Sequence, residues 1–434
     1  MSPAARLRRE LGLLPLAAIV FLNVSGGPYG IEDTVPSFGP GLTLILLVLV
    51  PLFWSLPVSL AMSELASAMP DEGGYVTWTT RAFGPFWGFQ VGWWSWIDSF
   101  VDVAVYPALF VEYLRFWHPA MTGVERWLLA VLFIAVLTAL NLLGVRPTGA
   151  AAIVMSLGAL APIALLVVVG LPQMSTAPWR PLLAEGQSLA SGLGLGLAVV
   201  MWNYSGWDTP STILGETRAP EHAFRRALLL SVPLIAASYL LPVGVALASG
   251  SADWHAWTTG SLPQVAARVG GNWLGHVVAM GAVVSTAGLF MALLLTNSRI
   301  PYVLARDGVL PRAFAAVHPR FGTPWNAVIV SAVVYTACAA FSFKELIVLN
   351  VWLYSVTLLV ELAAFLVLRL RDAELTRPWR VPGGWPGAVA VSVSPALFAL
   401  AAMATAGWAN TLAGVLAALS GPLVWLVARA SSRR

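Results

Sequence analysis

Residues 25–30 read Ser25-Gly26-Gly27-Pro28-Tyr29-Gly30 and interrupt an apolar stretch, 11 to 38, that is otherwise long enough to cross a bilayer. A second interruption, Asn203-Tyr204-Ser205-Gly206-Trp207-Asp208, sits within the apolar stretch 188 to 215. A helix that unwinds in hydrocarbon leaves N–H and C=O groups without partners at several kcal/mol each, so it persists only where a cavity, water or a ligand satisfies them. Two corresponding breaks are the pattern of transporters built from inverted repeats.

The composition fits that setting. Of 434 residues, 58% are hydrophobic and 10% charged, and mean hydropathy is +0.79; a soluble domain carries roughly 25% charged residues. The chain reads as an all-α integral membrane protein. The basic start MSPAARLRRE precedes an apolar segment too long for a signal h-region and lacking a convincing cleavage site, so that segment is read as a first membrane helix. Cys338 is the single cysteine, which excludes an intrachain disulfide and a cysteine metal site. Five histidines lack metal-ligand spacing. No cofactor is implied, and no polar cluster suits a membrane-embedded enzyme.

Apolar windows give twelve spans, at about 11 to 38, 41 to 68, 84 to 117, 124 to 144, 147 to 171, 188 to 215, 223 to 250, 272 to 305, 322 to 342, 345 to 369, 386 to 407 and 409 to 429. The breaks then fall in the first and sixth spans, the matching positions of two five-helix halves, 11–171 and 188–369, followed by two trailing helices over 386–429. With the N-terminus in the cytoplasm, 19 of the 24 Lys and Arg residues lie on the cytoplasmic side, which sets both termini inside a cell membrane. The net charge of +4 is scattered over loops, which suits lipid headgroups and not nucleic acid. Residues 73–81 are expected to form a short interfacial helix and residues 262–269 another outside; Glu64 and Glu216 are expected to pair with arginines at the inner ends of their spans.

Chemistry concentrates at the breaks. Free N–H groups where helix resumes at Tyr29 suit a carboxylate, and carbonyls freed near Asn23 to Ser25 suit an ammonium group or a cation. Glu32 and Asp33 follow, and Glu32 is a candidate for drawing in a cation. Asp98 and Asp102, at i and i+4 in the third span, share one face at bilayer depth, with Tyr106 one turn further. Either acid can neutralise an amine or take up a proton. At the second break Tyr204 and Trp207 are candidates for an aromatic wall, and Asn203 and Asp208 supply polar groups. Ser285 and Thr286 could line a sodium site if they meet the carbonyls of the first break. The residues assigned to substrate are thus Ser25, Gly26, Gly27, Pro28, Tyr29, Gly30, Glu32, Asp102, Tyr106, Asn203, Tyr204, Trp207 and Asp208. Those assigned to a coupling ion are Asp98, Asp102, Ser285 and Thr286.

SGGPYGIED at 25–33, SELASAMPDEGGYVTW at 63–78, WNYSGWDTPSTILGE at 202–216 and RPWRVPGGWPG at 377–387 resemble the amino acid, polyamine and organocation superfamily of secondary transporters. GGPYG followed by acids, with DVAVYP at 102–107, is most similar to its polyamine uptake and L-type amino acid branch. The resemblance implies a leucine-transporter-like five-plus-five inverted repeat, discontinuous first and sixth helices, and alternating access. It also implies a substrate held between the unwound segments, coupled to protons more often than to sodium. An acid at the position of Asp102 is similar to residues expected to face the substrate amine. Many proton-coupled members carry a lysine in the fifth span; residues 147–171 have none, which leaves Asp98, Asp102 or an exchange mode. Neutral amino acid, cationic amino acid and polyamine all stand open as substrates, and an exchanger or a passive channel for small amines as alternatives.

Overall fold

A computed structural model describes residues 7–189, 197, 199–250, 253–340 and 343–432. The described residues are all-helical and contain no strand; the β-type pairing is an isolated bridge between Leu11 and Thr217. The helices are α1 (Leu13–Val24), α2 (Thr34–Phe38), α3 (Pro40–Ala68, with a π-turn at Pro51–Ser55), α4 (Tyr75–Phe83), α5 (Pro85–Asp102), α6 (Val105–Leu114), α7 (Gly123–Leu142) and α8 (Val145–Gly170). After a helical segment at 199–203 and a 3₁₀ segment at Thr209–Glu216 come α9 (Pro220–Ala248), α10 (Leu262–Gly270), α11 (Asn272–Asn297) and α12 (Arg299–Arg306). The chain ends with α13 (Trp325–Cys338), α14 (Phe343–Arg371), α15 (Gly384–Thr405) and α16 (Trp408–Ser432). Eight helices among the described residues are long and apolar enough to cross a membrane, and α1 and α13 are shorter apolar helices.

The sequence explains which helices sit inside. From Ala18 to Glu32 every residue is buried, because α1 packs against α8, α9 and α11 together. An all-round apolar helix belongs in the interior of such a bundle. By contrast α7 exposes Val124, Trp127, Leu128, Leu132 and Val136, and α16 exposes Leu416, Leu419, Leu423 and Leu426. These apolar outer faces are what hydrocarbon solvates.

At one end of the bundle the arms of the two breaks are tied together. Glu10 and Leu11 donate backbone N–H groups to the Glu216 carbonyl, and Arg218 N–H returns to Leu11 O at 2.8 Å. The Glu216 side chain meets Arg299 Nε at 2.7 Å with both side chains fully buried, and Glu64 pairs with Arg369 and Arg377, the latter at 3.4 Å. Both acids thus have the arginine partners expected of them.

Three sequence expectations need adjustment. Residues 75–83 are helical, but Tyr75, Val76, Trp78, Thr79 and Ala82 are buried, so α4 is packed inside the bundle and is not an interfacial helix. The window 84 to 117 is two helices, α5 and α6, joined by a turn directly after Asp102. Beyond the second break the chain is a 3₁₀ coil, whose tighter winding reaches the Glu216 pair over eight residues.

Candidate functional site

Helix α1 ends at Val24, and Ser25–Asp33 run without α-helix until α2. Four of the segment's N–H groups are met within the protein. Ser25 N–H donates to Phe21 O at 2.7 Å, Gly27 N–H to Ser25 Oγ at 3.0 Å and Tyr29 N–H to Gly27 O at 2.8 Å. Gly30 N–H donates to Glu32 Oε2 and to the Tyr113 hydroxyl, each at 2.8 Å. Tyr113 donates to Glu32 Oε1 at 2.8 Å, and Leu262 N–H donates to the same oxygen at 3.3 Å. Glu32 therefore accepts the Gly30 amide of the first break and the Leu262 amide from α10.

The second break lies against the first. Gly206 has φ +93°, a conformation that favours glycine, and a Cβ there would stand 2.8 Å from the Asn23 carbonyl oxygen. Three of the freed backbone groups are again met by side chains. The Tyr204 carbonyl accepts from Trp54 Nε1 at 3.1 Å and Trp207 Nε1 at 2.7 Å, Asn203 O accepts from the Tyr239 hydroxyl at 3.1 Å, and Gly206 N–H donates to the Tyr354 oxygen at 3.0 Å.

Beside this junction lies a small cavity of about 40 Å³, lined by Asn23 and Val24 and by Trp202, Gly206 and Asp208. α5 contributes Ser95, Asp98, Ser99 and Asp102, all on one helical face. α14 contributes Asn350, Tyr354 and Thr357, and Tyr106 closes a side by stacking on Trp202 with ring centroids 6.2 Å apart. Each acid has a neutral side chain as a hydrogen-bond donor. Asn350 Nδ2 donates to both Asp98 oxygens at 3.2 and 3.3 Å, Trp202 Nε1 to Asp102 at 3.1 Å, and the Tyr354 hydroxyl to Asp208 at 2.5 Å. Three carboxylates face the cavity, and no lysine or arginine stands among its described lining residues. Such a site has spare acceptor capacity and uncompensated negative charge, the complement of an ammonium group.

Of the residues singled out in the sequence, Asp98, Asp102, Tyr106 and Asp208 meet at this cavity. Ser25, Gly26, Gly27, Pro28, Tyr29, Gly30, Glu32, Asn203, Tyr204, Trp207, Ser285 and Thr286 do not line it. Gly27 has φ +101°, a conformation that favours glycine, and a Cβ there would meet the end of the Ile163 side chain on α8. Tyr29 stacks edge-on with Tyr113 at 5.6 Å. Ser285 Oγ donates to Gly26 O at 2.8 Å, while Thr286 turns back to Val283 O in its own helix. The sequence reading missed Tyr75, Ser95, Asn350, Tyr354 and Thr357. Asn350, Tyr354 and Thr357 recur at i, i+4 and i+7 in an apolar run, a polar stripe that the helical period makes visible.

Membrane-length helices around a buried, acid-lined cavity define a multi-pass membrane protein with an internal polar site. The family model for amino acid permeases matches residues 11–425, and the chain belongs to that family, within the amino acid, polyamine and organocation superfamily. A probable polyamine transporter of Arabidopsis thaliana is similar at 34% identity over 402 residues, 91% of this chain and 79% of the relative. The polyamine transporter PUT1 of Oryza sativa subsp. japonica is 35% identical over 395 residues, 91% of this chain and 73% of the relative. An uncharacterized transporter of Mycobacterium tuberculosis shares 28% identity over 335 residues, 77% of this chain and 74% of the relative.

Proposed function

We propose that this chain is a secondary active transporter of polyamines, not an enzyme, taking its substrate at Asp98, Asp102 and Asp208. The observation that carries the reading is the set of three cavity carboxylates without a basic neighbour among the described lining residues. An amino acid would bring a carboxylate of its own into that negative field, and the Gly30 and Gly27 amides of the first break are already held by Glu32 and Ser25. A diamine brings only cations. The relatives named as polyamine transporters, matched over 91% of this chain, favour the same substrate class.

The finer architecture belongs to the same reading: twelve spans in a five-plus-five inverted repeat with two trailing helices, the first and sixth discontinuous. Both termini would lie in the cytoplasm of a cell-membrane protein, and the junction at Asn23 and Gly206 would open alternately to each side. Ser285 meets the Gly26 carbonyl, as a sodium site would require, but Thr286 bonds within its own helix, and three acids line the cavity; coupling to protons is the reading these groups favour.

Purified protein in sealed liposomes tests the proposal. Labelled putrescine is expected to accumulate against its gradient under an imposed pH difference, with spermidine competing and a hundredfold excess of leucine not. Leucine uptake without putrescine uptake would overturn the assignment, and putrescine equilibration without accumulation would make the protein a passive channel.

A further inference from the structure

One acid inside the bundle is used by nothing described so far. Glu361 on α14 is 1% exposed, and neither carboxylate oxygen has a hydrogen-bond partner among the described residues. It continues the stripe Asn350, Tyr354, Thr357 by one more turn, so it stands about 6 Å along the helix axis beyond Thr357, the last cavity residue of α14. Eight residues further on, Arg369 is held by Glu64. Glu361 thus lies between the cavity and the end of the bundle that the arginine pairs close.

Among the described residues no counter-charge stands beside it, and Arg81 on the neighbouring α4 is paired with Asp372. Its electrostatic neighbours are Asp208 and the hydroxyls of Tyr75 and Tyr354. Asp98 on α5 is itself an acid bonded to Asn350, and Arg369 on its own helix is paired with Glu64. On α6, Tyr106 lines the cavity, Tyr113 bonds Glu32 and Glu112 pairs with Arg115. α15 carries no titratable side chain, and Arg429 on α16 lies over the Trp425 ring. An ionised carboxylate without a partner is expensive to keep away from water, and a bound proton removes the charge without needing space.

We infer that Glu361 is the site of the coupling proton, an inference that rests on the transport reading above. A proton leaves hydronium on the cavity side, and an O–H bond forms at a Glu361 oxygen. When the inner end opens, that bond breaks and the proton passes to cytoplasmic water. The neutral acid lets the loaded bundle close, and the returning charge, beside Asp208, is relieved only by another proton. Substrate occupies the cavity and the proton its own residue one turn away, so the two are separable by mutation.

Two assays in liposomes separate them: exchange of external labelled putrescine for internal unlabelled putrescine without a pH difference, and accumulation driven by a pH difference. Glu361→Gln is expected to keep exchange within about twofold of wild type, to lose accumulation at least about tenfold, and to abolish the proton signal of a pH dye on putrescine addition. Accumulation equal to wild type overturns the inference, as does loss of exchange in a monodisperse variant, which would place Glu361 at the substrate. Should the glutamine variant fail to fold, Glu361→Asp keeps the carboxyl on a shorter stem. It is expected to shift the pH profile of accumulation while leaving exchange alone, and an unshifted profile overturns the assignment. Absence of putrescine exchange in the wild-type protein would instead overturn the transport reading itself.

Discussion

The Tyr354 hydroxyl donates to Asp208 at 2.5 Å and accepts from Gly206 N–H at 3.0 Å, so one side chain of α14 holds both the unwound backbone and a cavity acid. Tyr354→Phe removes both bonds while keeping the ring. A buried donor left unpaired costs about 1–3 kcal/mol, and putrescine uptake is expected to fall roughly tenfold with a lowered melting temperature. Uptake in liposomes and a thermal melt check both, and unchanged uptake would detach Tyr354 from the site.

Glu32 and the cavity acids are expected to behave differently. Glu32→Gln weakens the bonds that hold Gly30, Tyr113 and Leu262, so it should cost about 1–3 kcal/mol of stability. The KM for putrescine should stay within about twofold, because Glu32 is outside the cavity. A large KM rise with an unaltered melt would return Glu32 to the substrate.

Gly206→Ala combines a positive φ with a Cβ 2.8 Å from the Asn23 carbonyl oxygen. The backbone alone costs roughly 1–2 kcal/mol for a residue with a side chain, and the contact would push the two breaks apart. Uptake should drop to background. Gly244→Ala is the control, since a Cβ there meets nothing within 4 Å, and it should transport as wild type.

Breaking the fully buried Arg299–Glu216 pair leaves one charge uncompensated. Glu216→Gln is therefore expected to destabilise by about 3–5 kcal/mol, read as a fall in melting temperature and in the amount of folded protein recovered from membranes. A loss below about 1 kcal/mol, the range of exposed pairs, would contradict the observed burial.

Much of this was legible in the residues, for physical reasons. Hydrocarbon thickness fixes apolar run length, and Gly-Gly-Pro and Ser-Gly inside such runs mark backbone that cannot stay helical, so both interruptions were visible. Asp98 and Asp102 showed because charge in an apolar run is costly and a four-residue spacing is one face. What stayed hidden was which side chain satisfies which freed amide. That Glu32 curls back on Gly30 while Tyr113 arrives from α6 depends on packing between distant elements, and sequence spacing does not encode it. The α14 stripe is encoded, but its members are spread over three turns of an otherwise apolar helix, where the apolar residues dominate any short window.

The most direct measurement is equilibrium binding of labelled putrescine to the purified protein, wild type against Asp102→Asn. The substitution keeps an oxygen for Trp202 while removing the charge. A charge-assisted hydrogen bond is worth about 1.5–3 kcal/mol, or roughly 10- to 100-fold in Kd. The account predicts saturable binding displaced by spermidine and not by leucine, weakened by that factor in the variant; equal affinity in the two proteins, or displacement by leucine, would contradict it.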